Sequence, residues 1–291
     1  MKVHLVDGTF ELFRCFHGAP RACHDGREVG AARALLATFV SLLHQHDVSH
    51  VAIAFDSVVA PPGGGTSSEA LIGAQTPFAA EITRALGVTL WPSGRYQADE
   101  IIATAAARFV AKEAVDQVVI CANDNDFDQC VIGERLVVLD RIRKVVTNEA
   151  AVRARWGVTP AQIPDLFALV GDRSDGIPGV PGWGVRTAAA LLAEYGTLDA
   201  IPLEPATWSV SVRSAARLAA MLRARHAEAL LCRDLSRLRS DLPLRSTLAD
   251  LKWHGAHRPA IADLCSRLGD DSAAQRITRW VDEQSRRAAT D

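Results

Sequence analysis

Short β-branched runs alternate with longer helical patterns along the front of this chain, and that alternation constrains its fold more than any other feature. Residues 3–6 (VHLV) predict a strand and 29–46 a helix. Residues 51–55 predict a second strand, 77–86 a helix and 88–91 an extended run. An Ala- and Ile-rich helix is predicted over 98–114, with apolar strands at 118–121 and 136–139. Such a pattern predicts an α/β fold, a mostly parallel sheet covered by helices. After residue 147 the strand patterns stop, and 148–156, 160–170, 185–195 and 211–238 all read as helical. We therefore expect an α/β core over 1–147 and a helical section over 148–291. One segment breaks the rhythm: residues 57–76 are rich in Gly, Pro, Ser and Ala, and read as a flexible surface loop.

With 48% hydrophobic residues in 291, the chain has ample material for a core, which excludes intrinsic disorder. Its net charge of −2 points to no particular partner. The charge is unevenly placed, however. Residues 1–175 carry 16 basic against 21 acidic residues, and 176–291 carry 16 against 13. An acidic front and a mildly basic back suit a carboxylate site beside an anion-binding surface. Six cysteines without a CxxC spacing argue against zinc and thioredoxin-type chemistry, and scattered free thiols suit a reducing cytosol. Asp7 and Glu11 interrupt the apolar N-terminal stretch, unlike a signal peptide. No run approaches the roughly 18 apolar residues of a membrane span. A cytoplasmic protein without membrane association is expected.

Ligands of an open parallel sheet bind outside the carboxyl ends of its strands, and carboxylates stand at those ends here. Asp7 follows the first strand and Asp56 the second; Asp124 and Asp126 follow the strand ending at 121. Asp99 and Glu100 open a helix, while Asp172 and Asp175 lie in LVGDRSDGIPG. Taken singly, each reads as a helix cap, a turn former or a first-turn charge. Together they would repel one another unless neutralised. Hard divalent cations such as Mg²⁺ or Mn²⁺ neutralise oxygen donors of this kind. Two such ions are a standard device for phosphodiester hydrolysis.

A second motif, GIPGVPGWG over 176–184, runs into a predicted helix at Val185. Glycines permit positive φ and close backbone approach, and a following helix N-terminus offers amides to a phosphate. Helix, glycine loop and helix over 160–195 read as a helix–hairpin–helix, with its loop at 176–187, that grips DNA backbone without reading bases. Gly179, Val180, Gly182, Trp183, Gly184, Arg186 and Thr187 are the candidate DNA-binding residues. Trp183 either inserts toward DNA or packs under the loop.

These motifs resemble the 5′-nuclease family, which comprises the 5′→3′ exonuclease domain of bacterial DNA polymerase I, its stand-alone relatives and the flap endonucleases. The resemblance rests on LVDGT at 5–9, AFD at 54–56, YQADEIIATAA at 96–106, ANDNDFDQCV at 122–131 and ALLCRDLSRLRSDLPL at 229–244. Its most specific stretch is residues 156–201, which is similar to the family's helix–three-turn–helix element. The similarity implies a stand-alone, monomeric, two-metal-ion nuclease acting on DNA at 5′ ends, nicks or flap junctions in repair or replication. It implies that Asp7, Asp56 and Asp99 hold one metal ion, with Glu100 beside them. It further implies that Asp124, Asp126, Asp172 and Asp175 serve a second ion, and that the Gly179–Gly184 loop holds duplex phosphates with a K⁺ ion among its carbonyls.

The sequence departs from the family pattern in three places. Gln97 stands where the family's acidic motif opens with Glu, and Glu100 stands where Asp is usual. The family's basic arch is replaced by 57–76; no Lys or Arg occurs from Ala34 through Thr83. Arg14, Arg84 and Arg95 are the nearest basic residues. Losing a clamp on the reacting phosphate costs rate. A structure-specific DNA-binding protein with weak or lost hydrolysis is therefore the competing reading. A PIN-like enzyme preferring RNA is a third, which the glycine loop disfavours because A-form duplex fits it poorly.

Overall fold

The computed structural model describes residues 1–56, 68–92 and 94–281. Contacts divide the chain into two units, residues 1–122 with 240–291, and residues 123–239. The boundary expected at 147 thus falls inside the second unit.

Four parallel strands organise the first unit: β1 (Lys2–Asp7), β4 (His50–Phe55), β5 (Thr89–Pro92) and β6 (Gln117–Cys121), in the order β5-β4-β1-β6. Val3, Leu5 and Val6 of β1, and Val51 to Ala54 of β4, are at most 1% exposed. Strands buried on both faces are the mark of a parallel sheet covered by helices. The cover is α1 (Gly8–Gly18), α2 (Gly30–Leu43), α3 (Ser68–Ala85) and α4 (Ala98–Val110). Two features lay outside the sequence expectations: α1, and a small hairpin of β2 (Cys23–His24) and β3 (Arg27–Glu28). Helix α3 starts nine residues earlier than the periodicity predicts. Residues 68–76 of the expected loop are thus helical, with Pro77 inside the helix; residues 57–67 lie outside the described residues.

The second unit opens with a 3₁₀ turn (Asn125–Cys130) and an antiparallel hairpin of β7 (Leu136–Asp140) and β8 (Val145–Thr147). Helices follow: α5 (Glu149–Trp156), α6 (Ile163–Val170), α7 (Val185–Tyr195) and α8 (Ala215–Ser236). Asp165 of α6 is 2% exposed and accepts the N–H of Leu198 at 3.0 Å, with Arg233 of α8 at 3.9 Å. Burial pushes the Asp165 carboxyl above the usual range, against these favourable partners.

From Ser240 the chain returns to the first unit with α9 (Leu248–Leu251) and α10 (Arg258–Leu268). Indole N–H groups anchor the return: Trp253 donates to the Leu86 carbonyl at 2.8 Å, and Trp91 to Ser246 Oγ at 2.9 Å. No described helix is long and apolar enough to cross a membrane.

The docking of this return tolerates no side chain at Gly87. Its φ is +69°, and a Cβ there would collide with the Gly255 carbonyl oxygen. Gly87→Ala is therefore expected to destabilise the chain by more than about 1 kcal/mol, read as a lower urea midpoint with the m-value unchanged.

Candidate functional site

The carboxylates of the first unit leave the sheet where its strands end. Asp7 closes β1 and N-caps α1, its Oδ1 accepting the N–H of Phe10 at 2.9 Å. The parallel register sets Asp7 beside Ala54, so Asp56, two residues on, emerges from the same edge. The N–H of Asp56 donates to Thr9 Oγ1 at 2.7 Å, and its Oδ1 accepts the N–H of Ala98 at 2.8 Å. One aspartate thereby joins the start of α1, the end of β4 and the start of α4. Asp99 follows directly, its Oδ1 accepting the N–H of Glu100 at 2.6 Å. Glu100 reaches back, Oε2 accepting the N–H of Gln97 at 3.1 Å, so it acts as one side of a capping box. All four carboxylates are partly exposed at helix N-termini, where amide dipoles favour negative charge. A cavity of ≈ 210 Å³ opens beside Asp56 between Thr9, Leu12, Phe13, Phe55, Ile72 and Thr76. Asp56 therefore stands between an anionic edge and an apolar wall.

In the second unit Asp124, Asp126 and Asp175 each offer an oxygen within 4.8 Å of the others. Asp124 N-caps the 3₁₀ turn, its Oδ1 accepting the N–H of Asp126 at 2.9 Å. Asp126 is 8% exposed. Burial pushes the Asp175 carboxyl above its usual range, and the charges of Asp124 and Asp172 add to this. Asp172 stands outside the triad and shapes the turn instead: Oδ1 accepts the N–H of Ser174 at 2.8 Å, and its backbone exchanges two hydrogen bonds with Ile177. Three oxygens at this spacing fit a hard divalent cation.

The glycine loop begins where α6 ends. Gly171, Gly176, Gly179 and Gly182 all have positive φ. Gly179 is the close approach: a Cβ there would lie 2.5 Å from Gly171 N and 2.6 Å from Val170 C. Val180 and Trp183 turn inward, at 4% and 7% exposure. The N–H of Val180 donates to the Leu169 carbonyl, the N–H of Trp183 to the Val180 carbonyl, and the indole N–H to the Leu218 carbonyl at 3.2 Å. Of the two open readings for Trp183, packing holds. Of the candidate DNA-binding residues, Gly182, Gly184 and Arg186 are exposed, with Thr187 half-buried at the start of α7.

Sequence reasoning missed several participants. Thr9 fixes Asp56, although LVDGT itself was legible. Arg217 of α8 reaches the loop, its guanidinium 3.3 Å from where a Cβ on Gly182 would stand; no local signal links residues so far apart. Arg14 is engaged by buried Glu11 in α1, whereas Arg84 and Arg95 are exposed. Asp128 is 2% exposed and accepts the indole N–H of Trp156 at 2.7 Å, its carboxyl raised by burial.

Family models match two adjoining stretches: a 5′-3′ exonuclease N-terminal resolvase-like domain over residues 66–157, and a 5′-3′ exonuclease C-terminal SAM fold over 158–259. DNA polymerase I of Bacillus caldotenax is 29% identical over 98% of this chain, and that of Treponema pallidum 32% over 99%. The chain spans 33% and 30% of those relatives, about a third of their length. Among solved structures, T5 5′-exonuclease with bound zinc superposes with a TM-score of 0.63 at 16% identity, covering 95% of this chain and 97% of that one. The catalytic core of Rad2 in complex with DNA substrate gives 0.60 at 13% identity, covering 95% and 90%. At such identities the likeness is one of fold.

The raised Asp175 carboxyl gives the triad a pH signature. A metal ion requires the ionised form, so affinity is full well above the folded-state pKa and falls as pH drops through it, beginning above the ordinary carboxylate range. Mn²⁺ binding followed by electron paramagnetic resonance is expected to weaken as pH falls toward the carboxylate range, starting above that range because the Asp175 carboxyl is raised. Asp175→Asn is expected to lower affinity at neutral pH by roughly 10–100-fold and to flatten this dependence.

Proposed function

The chain belongs to the 5′-3′ exonuclease family, and from that membership we propose that it hydrolyses DNA phosphodiester bonds as a metal-dependent 5′→3′ exonuclease or flap endonuclease. The observation that carries this reading is the Asp124–Asp126–Asp175 triad, a donor set of oxygens alone, suited to Mg²⁺ or Mn²⁺. In this reading the triad holds one ion, Asp172 supports it through charge, and Asp7, Asp56 and Asp99 hold another. When bound, such ions supply positive charge to a scissile phosphate and lower the pKa of water at neutral pH. The Asp7 and Asp56 carboxylates are oriented for this task by the helix N-termini they cap. Glu100 is a positioning residue that sets the first turn of α4.

Substrate grip falls to the second unit. Gly182, Gly184, Arg186, Thr187 and Arg217 present a phosphate-binding surface on the glycine loop, whose carbonyls would hold a K⁺ ion. Val180 and Trp183 act from beneath by holding the loop in shape. Substrates are duplexes with a 5′ end, nick or flap, and the products carry 5′-phosphates. The basic arch of the family has no counterpart in the composition of 57–76, so neutralising the phosphate would fall mainly to cations that Asp7, Asp56, Asp99 and the triad would hold.

Cleavage of 5′-flap and nicked duplex DNA is expected with Mg²⁺ or Mn²⁺ and not with EDTA. Asp124→Ala is expected to lower it by more than about 100-fold while duplex affinity stays within about threefold. Duplex binding by the unaltered chain without metal-dependent cleavage would instead support the reading as a DNA-binding protein that has lost hydrolysis.

Gly184 separates the loop's binding role from its folding role. Its φ is −130°, and a Cβ there would meet nothing within 4 Å. Gly184→Asp adds a favourable N-cap to α7 and a negative charge facing phosphate. Thermal stability is expected to hold or rise, while duplex affinity falls by about tenfold or more. Unchanged affinity in a salt titration would remove the loop from the interface.

A further inference from the structure

The carboxylate triad of the second unit rests on a turn too short to hold its own orientation. Asp126 lies in the 3₁₀ turn Asn125–Cys130, and Asp124 caps it. Hydrogen bonds in a 3₁₀ turn are poorly aligned and rarely sustain more than a few residues, so its setting depends on contacts from outside. Two consecutive side chains supply them. Asp128 accepts the indole N–H of Trp156 at 2.7 Å, which ties the turn to the end of α5. Gln129 ties it to α8: its Nε2 donates to the Ser236 carbonyl at 2.9 Å, and its Oε1 accepts the N–H of Leu238 at 3.0 Å. Ser236 is the last residue of α8, where helix carbonyls have no partner within the helix. One side-chain amide thus spans two backbone sites and fixes the turn against the helix end in both distance and rotation.

We propose that Gln129 is a positioning residue of the triad, holding Asp124 and Asp126 at the angle at which they and Asp175 share one divalent cation. The inference rests on the reading of the triad as a metal site. Residues three apart in a 3₁₀ turn eclipse one another, so Gln129 stands one turn along from Asp126 on the same side. Any rotation of the turn about its axis carries both side chains together. The triad oxygens lie within 4.8 Å of one another, and a cation such as Mg²⁺ demands its oxygens near about 2.1 Å in close to ideal geometry. A turn free to rotate presents the same oxygens at scattered positions, so affinity falls although no ligand is lost. The same helix extends the constraint to the glycine loop. The Trp183 indole N–H donates to the Leu218 carbonyl near the start of α8, about 27 Å along the helix axis from Ser236. One rigid helix therefore takes a side-chain hydrogen bond from the triad's turn at one end and from the glycine loop near the other.

Mn²⁺ titration of the full chain by electron paramagnetic resonance, well below its unfolding temperature, tests this; the triad's ion is the one that Asp124→Ala loses. Gln129→Met, similar in size and without either bond, is expected to weaken that ion by about tenfold or more. Leu222→Ala, a change in the buried face of α8, is the control for stability alone and is expected to leave the ion within about twofold despite a lower unfolding temperature. Leu238→Pro removes the donated N–H from the other side, next to Arg237, whose φ of −76° and ψ of 115° already suit a following proline. It is expected to weaken the ion in the same direction. Nicked-duplex cleavage by Gln129→Met is expected to be low at limiting Mn²⁺ and to recover at high Mn²⁺, with duplex affinity in EDTA within about threefold of the unaltered chain. Unchanged Mn²⁺ affinity in Gln129→Met, or a loss no larger than that of Leu222→Ala, overturns the proposal alone. An unaltered chain that binds Mn²⁺ no better than Asp124→Ala overturns the reading of the triad and the proposal with it. Triad affinity that follows Gln129 in a chain without cleavage upholds the positioning role and removes the nuclease reading.

Discussion

Asp56 holds together three parts of the first unit that the chain visits far apart. Its amide donates to Thr9 at the start of α1, its carboxylate accepts from Ala98 at the start of α4, and its backbone continues from β4. Parallel strands end at one edge, and each helix that follows a strand begins there with unpaired amides. Asp7 and Asp56 satisfy those amides and are aimed by doing so. The geometry that terminates strands and starts helices is the same geometry that collects negative charge at one edge of the sheet.

The second unit gathers carboxylates as well. Its 3₁₀ turn places Asp124 and Asp126, and the tight turn between Asp172 and Ile177 presents Asp175 to them. The glycine loop that follows owes its shape to Gly179, where only hydrogen fits against the last carbonyl group of α6, and to Trp183, whose indole is tied to α8. The carboxylate triad and the glycine loop are thus consecutive stretches of one chain segment. Asp165 is buried in the same unit. Its raised carboxyl binds a proton more readily folded than unfolded, so its contribution to stability declines as pH rises above the ordinary carboxylate range.

Much of this was legible in residue order because parallel strands and their capping aspartates leave local signals. The β-branched runs at 51–55 and 118–121 became β4 and β6, and the helix expected at 185–195 is α7 to the residue. The strand-end aspartates fell where the runs predicted. The illegible parts depend on distant partners. Helix α1 hides in LVDGTFELFRCF because its turn is capped by Asp7, a residue equally suited to a loop. The early start of α3 is masked by Ser, Gly and Thr, whose weak propensity is overridden by packing against α2. Arg217 joins the glycine loop only because α8 crosses beneath it, and Asp172 leaves the triad because its side chain closes a local turn. Burial of Trp183 likewise turns on Leu218, a contact no local pattern encodes.

That Asp7, Asp56 and Asp124 each cap a helical turn has an evolutionary consequence. Natural selection on foldedness alone resists their replacement, because alanine at a cap forfeits about 1 kcal/mol. Were the hydrolysis proposed for this chain lost in a lineage, these three aspartates would still be inherited for their capping. Residues without a capping duty, Asp175 among them, would erode first. In comparing descendants of this chain, persistence of Asp175 would therefore be a sharper witness of the proposed hydrolysis than persistence of the strand-end acids.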